Sequence, residues 1–349
     1  MAVLQNVCRV SRVKFKRGAV ARSGFGWSSI CGILLGLSVA PAGYAAQSPW
    51  SLVERMTKAA RTLNYDGVIV YRSGQHMQTL RVIHRGAGGT ERERMITLDG
   101  AAREIVRDQQ RVTCILPERS TITVGKRPRQ LVSSAGIVDP ARIAHDGIEQ
   151  RYVLGVASGT RIAGRPTTLL AVDPRDRFRY GYRLFADKAT GLLLKSQLVD
   201  GAGGVLEELV YTSITFPSRI PETLLEASLT GNDYRRIEID LAGESVIGKA
   251  AGQNWKVAWL PAGFEMSDRT REAFGARRGG VRHLIFSDGL AFISVYIEPI
   301  GLAGAPPLGQ SRMGAVSIFS TDRVGHRVTI VGAVPAETVV RVGRSVTQR

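Results

Sequence analysis

Cysteine is scarce in this 349-residue chain, which contains three. Two of them, Cys8 and Cys31, lie within the first 45 residues, so a chain that has lost this segment keeps Cys114 alone. A single thiol excludes an intrachain disulfide and a cysteine zinc site in that shorter chain. Val112, Cys114 and Leu116 alternate along a predicted strand, so we expect Cys114 to be a small core residue.

Sequence motifs of catalysis are also missing. After residue 45 there is no G-x-S-x-G elbow, no S-x-x-K and no P-loop. The five histidines include no H-E-x-x-H and no pair four residues apart, which is the spacing that puts two zinc ligands on one helix face. We therefore predict a protein that is not an enzyme and has no metal or cofactor.

Acidic residues are absent from positions 1–45, which carry six basic ones. An apolar run from Trp27 to Ala40 and the small residues Gly43 and Ala45 follow. This order is typical of a cleaved signal peptide, with cleavage after Ala45 or after Ala42. The alternative is an uncleaved anchor, but a membrane-spanning helix needs roughly 20 apolar residues. We predict an extracytoplasmic mature chain.

Basic residues outnumber acidic ones over the chain as a whole. Removing the leader lowers the formal net charge from +17 to +11. Such a basic protein suits anionic partners such as lipid head groups, lipopolysaccharide phosphates or an acidic protein segment, although the charge could instead be spread over solvated faces. Nucleic acid is an unsuitable partner in this compartment.

The mature chain reads as two α+β domains. Residues 46–216 begin with an amphipathic helix that Ser48 can cap, and continue as short β-rich runs that favour an antiparallel sheet or barrel. Residues 217–235 are a predicted linker. Residues 236–349 form a predicted smaller domain with hairpins at 281–298 and 315–331, the first turning at Asp288-Gly289.

One pattern in the first domain suggests an apolar cavity. A curved sheet backed by helices can enclose an acyl chain. The candidate wall residues are Val68, Val70, Phe178, Tyr180, Tyr182 and Leu184, the last four on one face of a predicted strand. A filled core explains the same alternation. The opposite strand face carries Arg177, Arg179 and Arg183, which could hold a phosphate or carboxylate or lie in solvent.

Several stretches together resemble one known family. They are Leu63-Asn64-Tyr65-Asp66-Gly67, Leu98-Asp99-Gly100, Ala163-Gly164-Arg165-Pro166, Tyr180-Gly181-Tyr182-Arg183-Leu184, Thr190-Gly191-Leu192-Leu193-Leu194-Lys195-Ser196, Trp259-Leu260-Pro261-Ala262-Gly263-Phe264 and Val331-Gly332-Ala333-Val334-Pro335. The chain resembles the MucB/RseB family of periplasmic regulators of envelope-stress sigma factors, over nearly its whole mature length.

The resemblance implies both a fold and a role. The N-terminal domain would be an unclosed antiparallel barrel of the lipoprotein-carrier type with helices in its hollow, followed by a smaller sheet-and-helix domain. Family members bind the periplasmic part of an anti-sigma factor, shield it from the site-1 protease and are released by lipopolysaccharide or lipoprotein acyl chains. The alternative is a periplasmic lipid or lipoprotein carrier, and homo-oligomerisation stays open. Our candidate partner-binding residues are Arg277, Arg278, Arg282, Ser287, Asp288 and Gly289.

Overall fold

The structure is a computed structural model that describes residues 48–86, 90–126, 139–144, 147–228, 234–239, 255–266, 282–300 and 307–348. The predicted leader and the candidate residues Arg277 and Arg278 lie outside the described residues.

Helix α1, Pro49–Thr62, opens the described chain and packs into the first domain. Proline suits the first turn because its missing N–H would have no helical partner there. Ser48 occupies the N-cap position, but its side chain makes no capping hydrogen bond, which differs from our expectation. The apolar face of α1 is buried through Leu52, Val53, Met56 and Ala59, which makes α1 the amphipathic helix expected at this position.

The N-terminal sheet has twelve strands in the order β12-β6-β5-β4-β3-β2-β1-β11-β10-β9-β8-β7. Its strands are β1 Tyr65–Ser73, β2 His76–Arg85, β3 Arg92–Thr97, β4 Glu104–Arg107, β5 Arg111–Leu116, β6 Thr121–Lys126, β7 Tyr152–Ile162, β8 Arg165–Pro174, β9 Gly181–Asp187, β10 Leu193–Val199, β11 Val205–Thr215 and β12 Arg235–Ile239. A short helix α2, Ile148–Arg151, leads into β7. The pairs are antiparallel except β12 with β6. The end strands β7 and β12 do not pair with each other, so the sheet is unclosed.

The second domain is a smaller antiparallel sheet in the order β14-β15-β16-β19-β18-β17, beside a two-stranded pair. Its elements are β13 Trp255–Val257, β14 Glu265–Met266, β15 Arg282–Ser287, β16 Phe292–Pro299, β17 Gly309–Met313, β18 Val316–Arg323, β19 His326–Gly332, α3 Ala336–Arg344 and β20 Val346–Gln348. Val339 and Val342 bury one face of α3 on this sheet. The predicted fold class is confirmed in both domains.

Two buried clusters fill the first domain. One joins Ile69 and Tyr71 of β1 to Leu209 and Tyr211 of β11. The other joins α1 to strands β8, β9 and β10, and also includes Leu290 from the second domain. The hollow of the sheet is therefore occupied by the helix and by a side chain of the neighbouring domain.

Cys114 belongs to the first cluster and is buried, as expected for a small core residue. Both other cysteines lie outside the described residues.

The segment after β11 is anchored to the first domain. Ile220 and Leu225 pack on Ile83 of β2. Glu104 accepts hydrogen bonds from the backbone N–H and the hydroxyl of Ser228, at 3.1 and 2.7 Å. Strand β12 then extends the first sheet beside β6, although residues from 236 onward are assigned to the second domain in the sequence-based division. The start of the predicted linker thus runs along the first domain.

Candidate functional site at the junction of the two domains

The candidate pocket residues Val68 and Val70 lie on the outer face of β1. Cross-strand partners share a face of a sheet, and Val70 pairs with Val210, which in turn pairs with Lys195. The core face of β1 is instead formed by Ile69 and Tyr71. The structure therefore does not bring Val68 and Val70 together with the inward-facing candidates.

Tyr182 and Leu184 do lie on the inner face. Leu184 is fully buried in the cluster that contains α1. Tyr182 faces a cavity between the domains, and its burial together with the nearby Asp288 carboxylate raises the pKa of its hydroxyl. Two of the four residues expected to share one strand face are therefore placed as predicted.

Phe178 and Tyr180 precede β9, so the prediction that they continue its strand is wrong. Asp176 accepts a hydrogen bond from the backbone N–H of Phe178 at 2.9 Å, and this interaction closes a turn before the strand begins. The Phe178 ring meets Trp259 of the second domain edge to face, with centroids 5.0 Å apart. Tyr180 packs with Ala315, also from the second domain. Both aromatics therefore belong to the domain junction.

Arg179 is the centre of this junction. It is only 2% exposed, which contradicts the alternative of a solvated arginine row at this position. Its guanidinium donates to both carboxylate oxygens of Asp176, at 3.1 and 2.9 Å, and to Asp288 at 2.6 Å. It also donates to the backbone oxygen of Ala262 at 2.7 Å. Arg179 thus binds a carboxylate from its own turn and two groups from the second domain.

Asp288, in the turn between β15 and β16, is the matching acceptor. It is 1% exposed and also accepts a hydrogen bond from the Tyr152 hydroxyl at 2.9 Å. Its other carboxylate oxygen accepts the backbone N–H groups of Leu290 and Ala291, at 2.9 and 2.7 Å. A buried charge needs such a complete set of partners. We call Arg179, Asp288, Tyr152 and Asp176 the interdomain clasp.

The electrostatics of the clasp follow from burial. Burial and the Asp288 charge raise the pKa of Tyr152 well above its ordinary value, so Tyr152 remains a hydrogen-bond donor. The pKa of Arg179 is raised as well: its burial opposes the charge, but the hydrogen bonds to Asp176 and the Asp288 carboxylate outweigh that effect. Arg179 therefore keeps its positive charge at neutral pH, and Tyr152 keeps its proton.

The turn Ser287-Asp288-Gly289, a candidate for partner binding, makes its contacts within this chain. Ser287 donates to the backbone oxygen of Ala291 at 3.0 Å and accepts the N–H of Gly289 at 3.1 Å. Gly289 has φ of 100°, a conformation that favours glycine. Arg282, at the start of β15, is exposed. In this conformation Arg282 faces solvent, whereas the Asp288 side chain faces the first domain.

A cavity of about 140 Å³ lies beside the clasp. Arg142 stacks over the Phe292 ring with its guanidinium carbon 4.3 Å from the centroid. Both domains line the cavity, through Tyr71, Arg142, Tyr182, Ser196, Leu198, Glu207, Glu208, Leu209, Leu290, Phe292 and Ala333. Ligand pockets usually measure roughly 300–1,000 Å³, so this cavity is smaller than a usual ligand pocket.

Sequence reasoning missed the role of Arg179 and Asp288 as partners. They are separated by 109 positions, and no local pattern links them. The one available signal was the Asp-Gly turn itself, which locates Asp288 at the tip of a hairpin. Among the described residues, no cluster of His, Cys, Asp and Glu could hold a metal ion. Within the same part of the chain, no helix has the length and hydrophobicity that a membrane span requires.

The fold and the junction define a two-domain α+β protein in which an open N-terminal sheet carries a smaller sheet through a buried ionic contact. The chain belongs to the MucB/RseB family. Residues 48–229 match the N-terminal domain of that family and residues 249–347 match its C-terminal domain. The resemblance seen in the sequence is therefore confirmed for both domains.

Individual relatives agree with this assignment. The chain is 34% identical to the sigma factor AlgU regulatory protein MucB of Pseudomonas aeruginosa, covering 90% of this chain and 95% of that protein. It is 27% identical to the sigma-E factor regulatory protein RseB of Haemophilus influenzae, covering 84% and 89%. A crystal structure of MucB in complex with MucA(peri) matches with a TM-score of 0.63 and 29% identity, covering 86% of this chain and 98% of that one.

Proposed function

We propose that this protein is a periplasmic regulator that binds the periplasmic domain of an anti-sigma factor. The observation that carries the proposal is the shared fold with MucB in its complex with MucA(peri), at a TM-score of 0.63. The relatives that match along both domains are named as regulatory proteins of sigma factors. The signal-peptide-like sequence of residues 1–45 supports the periplasmic location.

The bound anti-sigma segment is shielded from the site-1 protease, and a lipid signal ends that protection. A ligand shifts an equilibrium only by binding one state better than the other. The cavity of about 140 Å³ at the junction is smaller than a usual ligand pocket, so a bound acyl chain favours a more open arrangement. By reciprocity, a bound anti-sigma segment weakens lipid binding by the same factor.

In this proposal the linker passes the effect of lipid binding from the first domain to the surface that both domains form. Its first part is attached to the first domain through Ile220, Leu225 and Ser228. A lipid that enlarges the hollow displaces α1 or Leu290, which share one buried cluster. Because Leu290 is two positions from Asp288, such a displacement strains the clasp and changes the surface formed by both domains.

A titration tests the binding step. Residues 46–349 are added to a fluorescently labelled periplasmic domain of the host anti-sigma factor, and anisotropy is followed with and without lipopolysaccharide. We expect saturable binding that lipopolysaccharide weakens, and parallel slowing of cleavage when the site-1 protease is added. Binding without any slowing of cleavage would contradict the shielding step.

The candidate interface is tested in the same assay. Reversing both Arg277 and Arg278 to Glu should weaken binding of an acidic anti-sigma segment, because two attractions become repulsions. The matched control is Arg111→Glu, an exposed reversal on β5 of the first sheet. Equal affinities of the double variant and the unmodified protein would remove these two arginines from the interface.

A further inference from the structure

Strand β7 is an unusually long sheet edge. It has eleven residues, and among the described strands it pairs only with β8. The opposite edge of the same sheet, β12, has five residues, and the edges of the second sheet, β14 and β17, have two and five. Natural proteins usually keep edge strands short, because an unpaired edge can add a strand from another chain. Strand β7 departs from that practice.

The backbone of β7 has hydrogen-bonding groups that point away from the sheet. The backbone N–H of Arg175 donates to the backbone oxygen of Arg151 at 2.8 Å. Opposite residues of an antiparallel pair alternate between hydrogen-bonded and non-hydrogen-bonded pairs, so this bond determines which residues of β7 bond to β8. In the register that follows, Leu154, Val156 and Ser158 direct their N–H and C=O groups away from β8. The ladder becomes irregular only after Ser158. Three consecutive outward positions therefore form a regular template for an added strand.

The side chains of β7 do not block this edge. Residues 152–160 contain no charged residue and no proline, the two devices that commonly protect an edge. Val153 is 47% exposed, and Ala157 and Ser158 are exposed as well. Beyond the irregularity the strand turns inward, where Ile162 joins the first buried cluster. The open part of the edge is thus residues 153–158.

The charge around β7 indicates what kind of strand fits. Residues 151–175 carry four arginines, at 151, 161, 165 and 175, and a single acidic residue, Asp173. Asp173 is already paired with Arg183 at 2.7 Å. Arg165 is likewise paired with Asp187 at 3.0 Å, so the exposed Arg161 and Arg175 provide the positive charge near the two ends of this uncharged strand.

We propose that β7 is a docking edge for an extended acidic peptide segment of another protein, which adds to the N-terminal sheet as a thirteenth strand. Its main-chain groups bond to those of Leu154, Val156 and Ser158, and acidic side chains at its ends meet the surrounding arginines. A second copy of this chain fits less well, because antiparallel pairing of two β7 strands brings the arginines of both copies together. This proposal is independent of the anti-sigma function.

The test uses a synthetic peptide that alternates Val and Thr and carries Glu at both ends. We expect saturable binding to residues 46–349, with slower hydrogen exchange at amides 153–158. Ser158→Pro removes one outward N–H at an edge position that tolerates proline, and should weaken binding about tenfold. The matched control Ser158→Ala keeps that N–H and should bind as well as the unmodified protein.

A second comparison leaves the protein unchanged. The peptide is N-methylated either at the residues whose N–H groups face β7 or at the alternate residues, and only the first set should abolish binding. Equal affinities of the two methylated peptides would overturn the proposal, as would protection from exchange elsewhere in the chain. Replacing the terminal Glu residues by Lys should reduce affinity. If the unmodified protein is a dimer and Ser158→Pro makes it a monomer, a second copy of the chain occupies the edge, and the proposal is overturned.

Discussion

Replacing Arg179 by methionine should loosen the junction of the two domains. The change removes the hydrogen bonds from Arg179 to Asp176, Asp288 and the backbone oxygen of Ala262. Methionine retains much of the aliphatic volume but leaves the buried Asp288 carboxylate without its cationic partner. We therefore expect the loss to exceed that of an ordinary surface contact.

The structure sets the magnitude of this loss. Removing one member of a buried ion pair costs about 3–5 kcal/mol, mainly because an uncompensated charge remains. Asp288 still accepts from Tyr152 and from two backbone N–H groups, so we expect the free energy of unfolding to fall by about 3 kcal/mol. Arg177→Met is the control, because the Arg177 and Glu337 side chains are 71% and 50% exposed, and such surface pairs contribute about 0–1 kcal/mol.

A double-mutant cycle in urea, followed by tryptophan fluorescence, isolates the coupling. Asp288→Asn removes the charge but keeps an acceptor for the turn. The double variant Arg179→Met, Asp288→Asn buries no uncompensated carboxylate, so its destabilisation should fall below the sum of the two single effects by about 1–3 kcal/mol. Effects that add within about 0.5 kcal/mol would refute the reasoning, since the two side chains would then not be coupled.

Three further predictions concern packing, pH and the linker. Gly86→Ala should destabilise the first domain by about 1–3 kcal/mol in urea unfolding, because its Cβ would overlap the backbone oxygen of Arg61 in the last turn of α1. Gly201→Ala, whose Cβ would have nothing within 4 Å, should be neutral. Burial lowers the pKa of His283 from 6.5 to about 4. The contribution of neutral His283 to the free energy of unfolding should therefore be complete above pH 6.5 and fall by about 1.4 kcal/mol per pH unit between pH 6.5 and pH 4. His283→Phe should remove this slope in denaturation measured as a function of pH. Glu104→Gln should weaken the anchoring of Ser228 and speed hydrogen exchange in residues 217–228, and unchanged exchange would contradict that role.

Hairpins were the elements that local sequence predicted best. The Asp288-Gly289 turn between alternating apolar runs indicates β15 and β16, because this dipeptide tolerates the tight turn and the period of two marks the flanking strands. The predicted hairpin at 315–331 corresponds to β18 and β19 for the same reason. Both patterns depend on residues close together in the chain, which is why the sequence was sufficient.

Which face of a strand lies inward was harder to predict. In β1, Val68, Ile69, Val70 and Tyr71 are all apolar, so alternation cannot select a face. The structure selects Ile69 and Tyr71 because their strand partners on β11 belong to the same cluster. Such a choice depends on long-range pairing, which a local pattern does not encode.

The clasp and β12 show the same limit. Arg179 follows an apparent alternation of aromatic and basic residues, yet a turn closed by Asp176 moves it into the junction. Asp288 becomes its partner only because the two domains pack together. Strand β12 pairs in parallel with β6 after a long connection, and short sequences contain no signal for such a crossover.

The measurement that tests the central claim most directly is co-purification of residues 46–349 with the periplasmic domain of the host anti-sigma factor, with and without lipopolysaccharide. The account predicts a stable complex that lipopolysaccharide dissociates. Failure to form a complex, together with acyl chains retained by the protein in native mass spectra, would contradict it and favour a lipid or lipoprotein carrier.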